Sequence, residues 1–341
     1  MTSTSRLQTC LSAPKEHHTL RLLLSAVSTL WSWAADRRLA IVVFHRVRPR
    51  RDALFPGEPD RPQFAAIMEM LAHCFNCLPL DEAVERLSAN RSLPNRAVAI
   101  TFDDGYADNY TEAVPILQHN GLTATFFIAS GFVDGGCMWN DEAVETLRAF
   151  PGAEIDLRPL GLGVSPFRNA EERVAVVTAV NRFLKYQTPA VRRESLDRLR
   201  DITGSGPRPR LMLTSEQVRR MHSAGMGIGG HTVNHPILGC IDDEAARREI
   251  GEDRERLAGI IGAAPSLFAY PNGKPGQDYR QSHVDMVRAA GYRGAVTTVW
   301  GAGGRGDDVF QLPRFSPWDR QPVRFALRLA YNYTRSRFRL A

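Results

Sequence analysis

The chain has 341 residues, of which 43% are hydrophobic and 23% are charged, and its formal net charge is +6. This composition is typical of a globular enzyme, and it excludes disordered, collagen-like and coiled-coil proteins. Positive charge concentrates at the ends: residues 1–51 hold nine Lys or Arg against two acids, and residues 319–341 hold six Arg against one Asp. Because the middle of the chain is mildly acidic, we do not expect it to bind nucleic acid.

The first predicted element is a basic, amphipathic helix within residues 1–38. Its apolar stretch between Arg21 and Asp36 has 14 uncharged residues, whereas a membrane span needs about 20. The stretch also begins too late for a convincing signal peptide. Five scattered cysteines favour a reducing compartment, so we predict a cytoplasmic protein. Two interpretations of the helix stay open: it lies in a membrane interface, or it packs on the domain.

Seven β-rich segments follow, and most are separated by helix-like stretches. They are Ala40–His45, Ala97–Phe102, Leu122–Ala129, Met226–His231, Ser266–Tyr270, Arg293–Thr298 and Phe310–Arg314. This alternation is typical of an α/β protein with a parallel sheet or barrel. Continuous apolar runs such as residues 41–44 (IVVF) indicate strands that are covered on both faces.

The connection between the third and fourth segments, residues 130–225, is much longer than the others. It contains Arg-rich helical patterns, for example residues 191–196 (VRRESL). One interpretation is a helical insertion over the mouth of the barrel that shapes a substrate site. The other is a solvated pair of helices without functional contacts.

Ionisable residues follow four of the seven segments: His45, the pair Asp103 and Asp104, His231, and Arg314. The carboxyl ends of the strands build the active site in α/β barrels, so we expect these side chains to meet. Adjacent strand residues point to opposite faces. The two carboxylates can therefore serve one site only if the chain turns there, and Gly105 allows such a turn.

Residues 231–235 (HTVNH) place two histidines four positions apart. Pro236 disfavours a helix at His235, and in an extended chain the two residues would be about 13 Å apart. A strand that ends in a compact turn would bring both imidazoles to one ion. Two histidines and one carboxylate form a three-ligand site with an open position, which is typical of a catalytic metal. We predict zinc, with cobalt, nickel and iron as alternatives.

These motifs resemble those of the polysaccharide deacetylase family (carbohydrate esterase family 4, the nodulation-protein-B homology domain). Residues 101–105 (TFDDG) and 231–235 (HTVNH) resemble the first two family motifs. Further segments resemble the exopolysaccharide-biosynthesis branch: residues 44–47 (FHRV), 139–141 (WND), 212–214 (MLT), 268–273 (FAYPNG) and 312–314 (LPR). The resemblance covers most of residues 39–318. It implies a deformed (β/α) barrel of about seven parallel strands, with residues 130–225 inserted and residues 319–341 as a basic tail.

The resemblance also implies residue roles. Asp103 would be the general base, and Asp104, His231 and His235 would hold the divalent metal. A backbone N–H near Tyr106 would stabilise the oxyanion. We further predict that the substrate is contacted by Tyr106, Tyr270, Pro271, Asn272 and Trp139, although Trp139 is also compatible with a place in the core.

The sequence departs from the family pattern in two places. The third motif lacks the arginine that many members carry, and no histidine follows His283 to act as a late general acid. We predict that Arg314 replaces the missing arginine and orients Asp103. For the general acid two candidates stay open, His45 and Asp103 itself, and His45 is equally compatible with a hydrogen-bonding role at the barrel mouth. His283 is predicted to lie at the surface.

The function implied is metal-dependent hydrolysis of N-acetyl groups on an amino-sugar polysaccharide, oligosaccharide or lipid-linked glycan. One alternative is an amidase or deformylase that acts on another small or lipid-carried amide. Another is a catalytically silent barrel that binds glycans. The tail, residues 319–341, mixes arginines with aromatic residues, which predicts either contact with an anionic membrane surface or a solvated helix.

Overall fold

The computed structural model describes residues 37–206, 210–316, 319 and 321–333. Its main element is a seven-stranded parallel sheet. The strands are β1 (Leu39–Phe44), β2 (Asn76–Cys77), β3 (Ala97–Phe102), β4 (Thr125–Ile128), β7 (Gly227–Gly230), β8 (Leu267–Ala269) and β9 (Gly294–Val296), in the order β1-β3-β4-β7-β8-β9 with β2 beside the first half of β3. The strands β5 (Glu154–Asp156) and β6 (Val164–Pro166) form a separate antiparallel hairpin.

Helices cover the sheet and fill its long connection. They are α1 (Arg61–Cys74), α2 (Leu80–Ser88), α3 (Val114–His119), α4 (Trp139–Ala149), α5 (Ala170–Lys185), α6 (Pro189–Thr203), α7 (Ser215–Ser223), α8 (Asp243–Ile261), α9 (Gln281–Ala289) and α10 (Pro322–Asn332). Local sequence explains several of their ends. At α7, for example, Thr214 and Gln217 form the reciprocal capping box that their spacing predicts.

The sheet curls into a half-barrel, and the α/β fold class predicted from the sequence is confirmed. The predicted seventh strand, Phe310–Arg314, is wrong. Leu312 makes one isolated parallel bridge to Val296 of β9, and Phe315 makes another to Val42 of β1. Pro313 between them has no N–H to donate to a ladder. The segment therefore joins the two edges of the curled sheet without forming a regular strand.

Both faces of the sheet are buried, as the continuous apolar runs predict. All six residues of β1 and all six of β3 are buried. On the face that α1 covers, the rings of Phe102 and Phe126 stack with centroids 4.8 Å apart, and Phe44 packs edge to face with Phe64 of α1. Aromatic pairs of this kind stabilise the fold by about 0.5–1.5 kcal/mol beyond the contribution of the surface area that they bury.

The connection between β4 and β7 has a hydrophobic core of its own. Side chains from α4, the β5–β6 hairpin, α5 and α6 form one buried cluster, in which Leu147, Phe167, Val180 and Leu199 are at most 1% exposed. Helix α7 instead packs against α8 and β7. Helices α4, α5 and α6 therefore form a packed unit that can hold side chains rigidly.

The ends of the chain are described only in part. The predicted N-terminal helix falls almost entirely on residues 1–36, which lie outside the described residues. In the tail, α10 packs Phe325, Ala326 and Leu329 into the main core. Among the helices that the structure describes, none is long and apolar enough to cross a membrane.

Candidate active site

The carboxyl ends of β1, β3 and β7 open into one cleft of about 440 Å³. The side chains predicted from the strand ends line it together: His45, Asp103, Asp104, His231 and His235. The rest of the lining comes from Asn272 and Thr298 and from the insertion residues Trp139, Asn140, Asn181, Arg182 and Lys185. The insertion therefore forms one wall of the cleft.

A tight turn after β3 directs its two carboxylates. The Gly105 N–H donates to the Asp103 carbonyl at 3.0 Å, and the residue between them, Asp104, has a φ of 77°. A three-residue turn with this positive central φ is rare and strained. Gly105 itself has a φ of 87°, which is favourable only for glycine. The turn predicted at Gly105 is thus present, and both acids reach the cleft.

The loop after β7 is compact in a similar way. Thr232 and His235 have φ values of 65° and 52°, and a positive φ is an outlier for a β-branched residue such as Thr232. Two acids of α8 hold the loop: Asp253 accepts a hydrogen bond from the His231 N–H at 2.8 Å, and Glu249 accepts one from the Asn234 N–H at 2.8 Å. The surrounding structure therefore stabilises the strained loop.

Three donor atoms converge at the centre of the cleft. His231 Nε2 and His235 Nε2 are 3.1 Å apart, and each is 3.5 Å from Asp104 Oδ1. Ligands bound at 2.0–2.1 Å around a tetrahedral ion are about 3.3–3.4 Å apart. His231 Nδ1 lies 2.7 Å from the Ala269 carbonyl, which can only accept, so Nδ1 carries the proton and Nε2 presents a lone pair. The three side chains fit one divalent ion.

The pKa values of Asp104 and His235 agree with a ligand set, whereas the pKa of His231 is shifted in the opposite direction. Burial would raise the pKa of Asp104, but the neighbouring imidazoles of His231 and His235 lower it. Burial lowers the pKa of His235 to about 4, and the neighbouring His231 acts in the same direction. Burial opposes a charge on His231, but the neighbouring carboxylates of Asp104 and Asp103 outweigh it and raise the pKa of His231. Asp104 is thus ionised and His235 neutral at pH 7, which are the protonation states that ligation requires.

Asp103 faces a different partner. Arg314 Nη1 and Nη2 donate to its two carboxylate oxygens, both at 2.6 Å, and both side chains are almost fully buried. Arg314 is itself held by a 2.8 Å hydrogen bond from Nε to the Thr297 carbonyl. Burial would raise the pKa of Asp103, but Arg314 and then His231 lower it. The contact predicted between Arg314 and Asp103 is present, and it keeps the acid ionised and oriented.

A comparison with models of protein families identifies the family of this chain. The polysaccharide deacetylase model matches residues 90–295, which is more than half of the chain. The chain belongs to the polysaccharide deacetylase family. This confirms the resemblance predicted from residues 101–105 and 231–235, which both lie within the matched range.

Individual relatives are distant. A Bacillus subtilis (strain 168) protein named "Putative polysaccharide deacetylase YxkH" is 20% identical over 278 residues, or 81% of this chain and 70% of that protein. The Streptococcus pyogenes deacetylase PplD, solved in complex with acetate, has a TM-score of 0.58 and is 18% identical over 86% of this chain and 98% of its own. IcaB from Ammonifex degensii has a TM-score of 0.55 at the same identity and coverage. These two structures share the fold of this deacetylase family member.

The other residues predicted to contact substrate divide into two groups. Trp139 and Asn272 line the cleft, and the Arg192 guanidinium lies 4.7 Å from the centre of the Trp139 ring. Tyr106 is buried beside the cleft, where its hydroxyl donates to Asp141 at 2.8 Å. Its bridge to Met212 uses hydrogen bonds of the flanking residues only, so the bridge does not occupy the Tyr106 N–H.

Three predicted positions lie away from the cleft. Tyr270 is fully buried in the core, where its ring stacks on Tyr279 with centroids 4.0 Å apart and its hydroxyl donates to the Phe310 carbonyl. Pro271 is buried behind the Asn272 turn. His283 was predicted at the surface, but it is buried and its Nδ1 accepts from the Arg280 N–H as part of the α9 cap. The predicted substrate contact of Tyr270 and the predicted surface position of His283 are therefore wrong, because packing buries both side chains.

Sequence reasoning missed two groups of residues. Asp253 and Glu249 were not singled out, although Asp253 lies on the buried stripe of α8 with Ala246, Ile250 and Leu257. An acid on an apolar helix face is a signal that could have found it. The second group, Asn181, Arg182 and Lys185 near the end of α5, reaches the cleft only through the packing of the insertion and carried no motif.

Proposed function

We propose that this member of the family is a metal-dependent hydrolase that removes N-acetyl groups from an amino-sugar glycan, as a polysaccharide, an oligosaccharide or a lipid-linked sugar. One observation carries the proposal: the donors of Asp104, His231 and His235 converge next to a second, oriented carboxylate, Asp103. When bound, a zinc-type cation supplies a Lewis acid and activates water near neutral pH. The family match and the donor set support this reading.

Asp103 is positioned to act as the general base. A base must be ionised before it accepts a proton, and Arg314 keeps Asp103 in that state. The same bidentate contact fixes the direction of the carboxylate, because two parallel N–H donors leave it little freedom to rotate. Asp103 would then accept the proton of the water that attacks the acetyl carbon.

The remaining steps need an oxyanion donor and an acid. The Tyr106 N–H is placed next to the acid pair and is not used by the bridge to Met212, so we assign it to the developing oxyanion. His45 lines the cleft and its side chain is exposed, while its backbone carbonyl accepts from Asn109. An exposed imidazole at this place can protonate the leaving amine, and Asp103 is the other candidate for that role.

Two single variants test the assignment. Asp103→Asn should lower acetate release from chitooligosaccharides by about 10²–10⁴-fold, the usual contribution of a general base, while the protein keeps its bound metal. Asp104→Asn should lose both activity and metal. Metal content by elemental analysis and thermal unfolding are measured on each, so that a misfolded variant is recognised.

Two outcomes would contradict the proposal. One is full acetate release by Asp103→Asn. The other is a wild-type protein that releases formate or another acyl group from a panel of amides but no acetate from any N-acetylhexosamine substrate.

We also propose that the tail contacts an anionic membrane surface. Val323, Leu327 and Tyr331 recur every four residues on α10 and are 46%, 55% and 60% exposed, so they form an apolar stripe on the outer face of the helix. Arg324 lies beside it and is exposed, which suits anionic headgroups. Leu327→Gln should reduce co-sedimentation with phosphatidylglycerol vesicles. Unchanged binding of this variant to the vesicles would contradict the proposed membrane contact.

A further inference from the structure

A second cleft, of about 610 Å³, lies on the insertion side of the molecule and is rich in arginine. Six arginines line it: Arg48, Arg50, Arg51, Arg148, Arg168 and Arg173. Asp52 is the single acid among the lining residues. We call this cleft the arginine pocket. Nothing in the chemistry of the active site requires such a concentration of positive charge.

Half of these arginines have carboxylate partners that neutralise them. Arg48 pairs with Glu58 and Asp52, Arg148 pairs with Asp52 and Glu145, and Arg168 pairs with Glu172. The N–O distances of these pairs lie between 2.6 and 3.5 Å.

The other half have no such partner within the described parts of the chain. Arg50 and Arg51 are exposed, and no described carboxylate forms an ion pair with either. Arg173 is half-buried, stacks on the Phe167 ring at 4.2 Å and donates to the Phe150 carbonyl. Arg173 is thus held in place but not neutralised, so the pocket keeps a net positive charge.

Two helices connect the arginine pocket to the active site. Helix α4 has Trp139 in the active-site cleft and Arg148 in the arginine pocket. Helix α5 has Arg173 in the arginine pocket and Arg182 in the active-site cleft. Both pairs are nine residues apart, which corresponds to about 13 Å along a helix. A short oligosaccharide or a sugar with its linking group could reach from one cleft to the other.

The rim of the active site continues the positive charge. Arg182 is exposed and Lys185 is half-buried, and neither forms an ion pair with a described carboxylate, although the Lys185 ammonium lies 5.4 Å from the Tyr186 ring. A neutral N-acetylated glycan could use these cations only as hydrogen-bond donors. A substrate with negative charge next to the reacting sugar would also gain charge-assisted hydrogen bonds.

We propose that the arginine pocket binds a phosphate-type anionic group carried by the substrate, while the N-acetylated sugar occupies the active-site cleft. The proposal rests on the proposed function and names its substrate class as a glycan that bears phosphate. Guanidinium groups recognise phosphate by paired N–H donors, and Arg50, Arg51 and Arg173 are available for this.

Direct binding is tested first, without turnover. Inorganic pyrophosphate is titrated into the full chain by calorimetry. Arg50→Gln combined with Arg51→Gln should weaken binding about tenfold, since charge-assisted hydrogen bonds typically contribute at least this factor. The matched control combines Arg247→Gln and Arg256→Gln, which removes the same charge from the exposed side of α8. Equal affinity of both double variants for pyrophosphate would overturn the proposal that the arginine pocket binds phosphate.

Kinetics then ask whether the anion belongs to the substrate. With a phosphorylated N-acetylglucosamine oligosaccharide, the Arg50→Gln and Arg51→Gln pair should raise KM about tenfold at unchanged kcat, as expected for lost uniform binding. With the unphosphorylated oligosaccharide, KM should not change. Arg173→Gln should behave in the same way, and thermal unfolding shows whether that variant folds.

The remaining outcomes separate the sources of the anion. If the double variant loses binding to phosphatidylglycerol vesicles but keeps its KM for the phosphorylated glycan, the pocket recognises a membrane and the proposal is overturned. If the wild type releases acetate from no glycan, the proposed function fails, while the calorimetric result still decides whether the pocket binds phosphate.

Discussion

Asp103 and Asp104 are neighbours in the chain and have opposite chemical surroundings. Asp103 is clamped by Arg314, whereas Asp104 meets two imidazoles. The strained turn at Asp104 produces this separation, because without it one of the carboxylates would point away from the cleft. Four of the seven non-glycine residues with positive φ in the described part of the chain lie at this site: Asp104, Thr232, His235 and Asn272. Backbone strain is thus concentrated at the candidate active site.

Arg314→Lys tests the orientation of Asp103. Lysine keeps the charge but cannot make the paired contact, so we expect kcat to fall about tenfold to a hundredfold through misplacement of the carboxylate. Loss of part of the Arg314 hydrogen bonding should also raise the pKa of Asp103. Since the proposed general base must be ionised to act, activity should then be lost at a higher pH as the solution is acidified. An acid limb of kcat/KM identical to that of the wild type would refute the assignment.

At the scale of elements, α8 supports the loop that carries the two proposed histidine ligands. Asp253 accepts hydrogen bonds from the Ser130 N–H at 3.1 Å and the His231 N–H at 2.8 Å, and it is fully buried. Gly230 makes this approach feasible, because a Cβ there would lie 2.1 Å from the Tyr292 hydroxyl and 2.7 Å from Asp253 Oδ2. One helix face and one glycine therefore fix the start of the loop that ends at His235.

Asp253→Asn should weaken this support. An amide offers one oxygen and one NH₂ group, so one of the two backbone N–H donors loses its acceptor, which costs about 1–3 kcal/mol of stability. Groups that orient metal ligands typically affect metal affinity by about 10–100-fold. We expect a loss of this size in a chelator competition assay. Glu252→Gln, an exposed change on the same helix, is the control. Equal metal affinity in the two variants would show that Asp253 serves packing alone.

For the whole molecule, the sheet and the insertion each supply part of the site. The fold brings together residues that are far apart in the chain, as in the pair Arg314 and Asp103, which are 211 positions apart. The insertion adds a wall and joins the sheet through buried ionic contacts, in which Arg46 donates to Asp108 at 2.7 Å and lies 3.8 Å from Asp141 of α4. Burial is the largest cause that raises the pKa of Asp141, to about 7.

This buried acid predicts a pH-dependent stability. Between about 3.8 and 7 the folded state holds a proton on Asp141 that the unfolded chain has released, so the free energy of unfolding falls as the pH rises through this window. A difference of about three pKa units limits this decrease in the free energy of unfolding to roughly 4 kcal/mol. In Asp141→Asn the free energy of unfolding should fall less as the pH rises. Glu171→Gln, an exposed change on α5, should show the same decrease as the wild type. Urea unfolding from pH 4 to 8 measures both, and parallel curves for all three proteins would contradict the prediction.

The sequence alone determined six of the seven strands of the sheet, the turn at Gly105 and the two histidines of the proposed metal site. These features follow from local patterns: apolar runs, a glycine after two acids, and two histidines only four positions apart. The family resemblance added the pairing of Asp104 with those histidines. Such signals survive in a single sequence because each depends on neighbours in the chain.

Tertiary structure decided the rest. Whether Tyr270 faces substrate or core, whether His283 is exposed, and whether Phe310–Arg314 completes a strand all depend on what packs against them. The wall formed by α5, the support from Asp253 and the arginine pocket join residues from distant segments, and no local pattern encodes such distances. Burial and convergence are properties of the folded chain, which is why only the structure could show them.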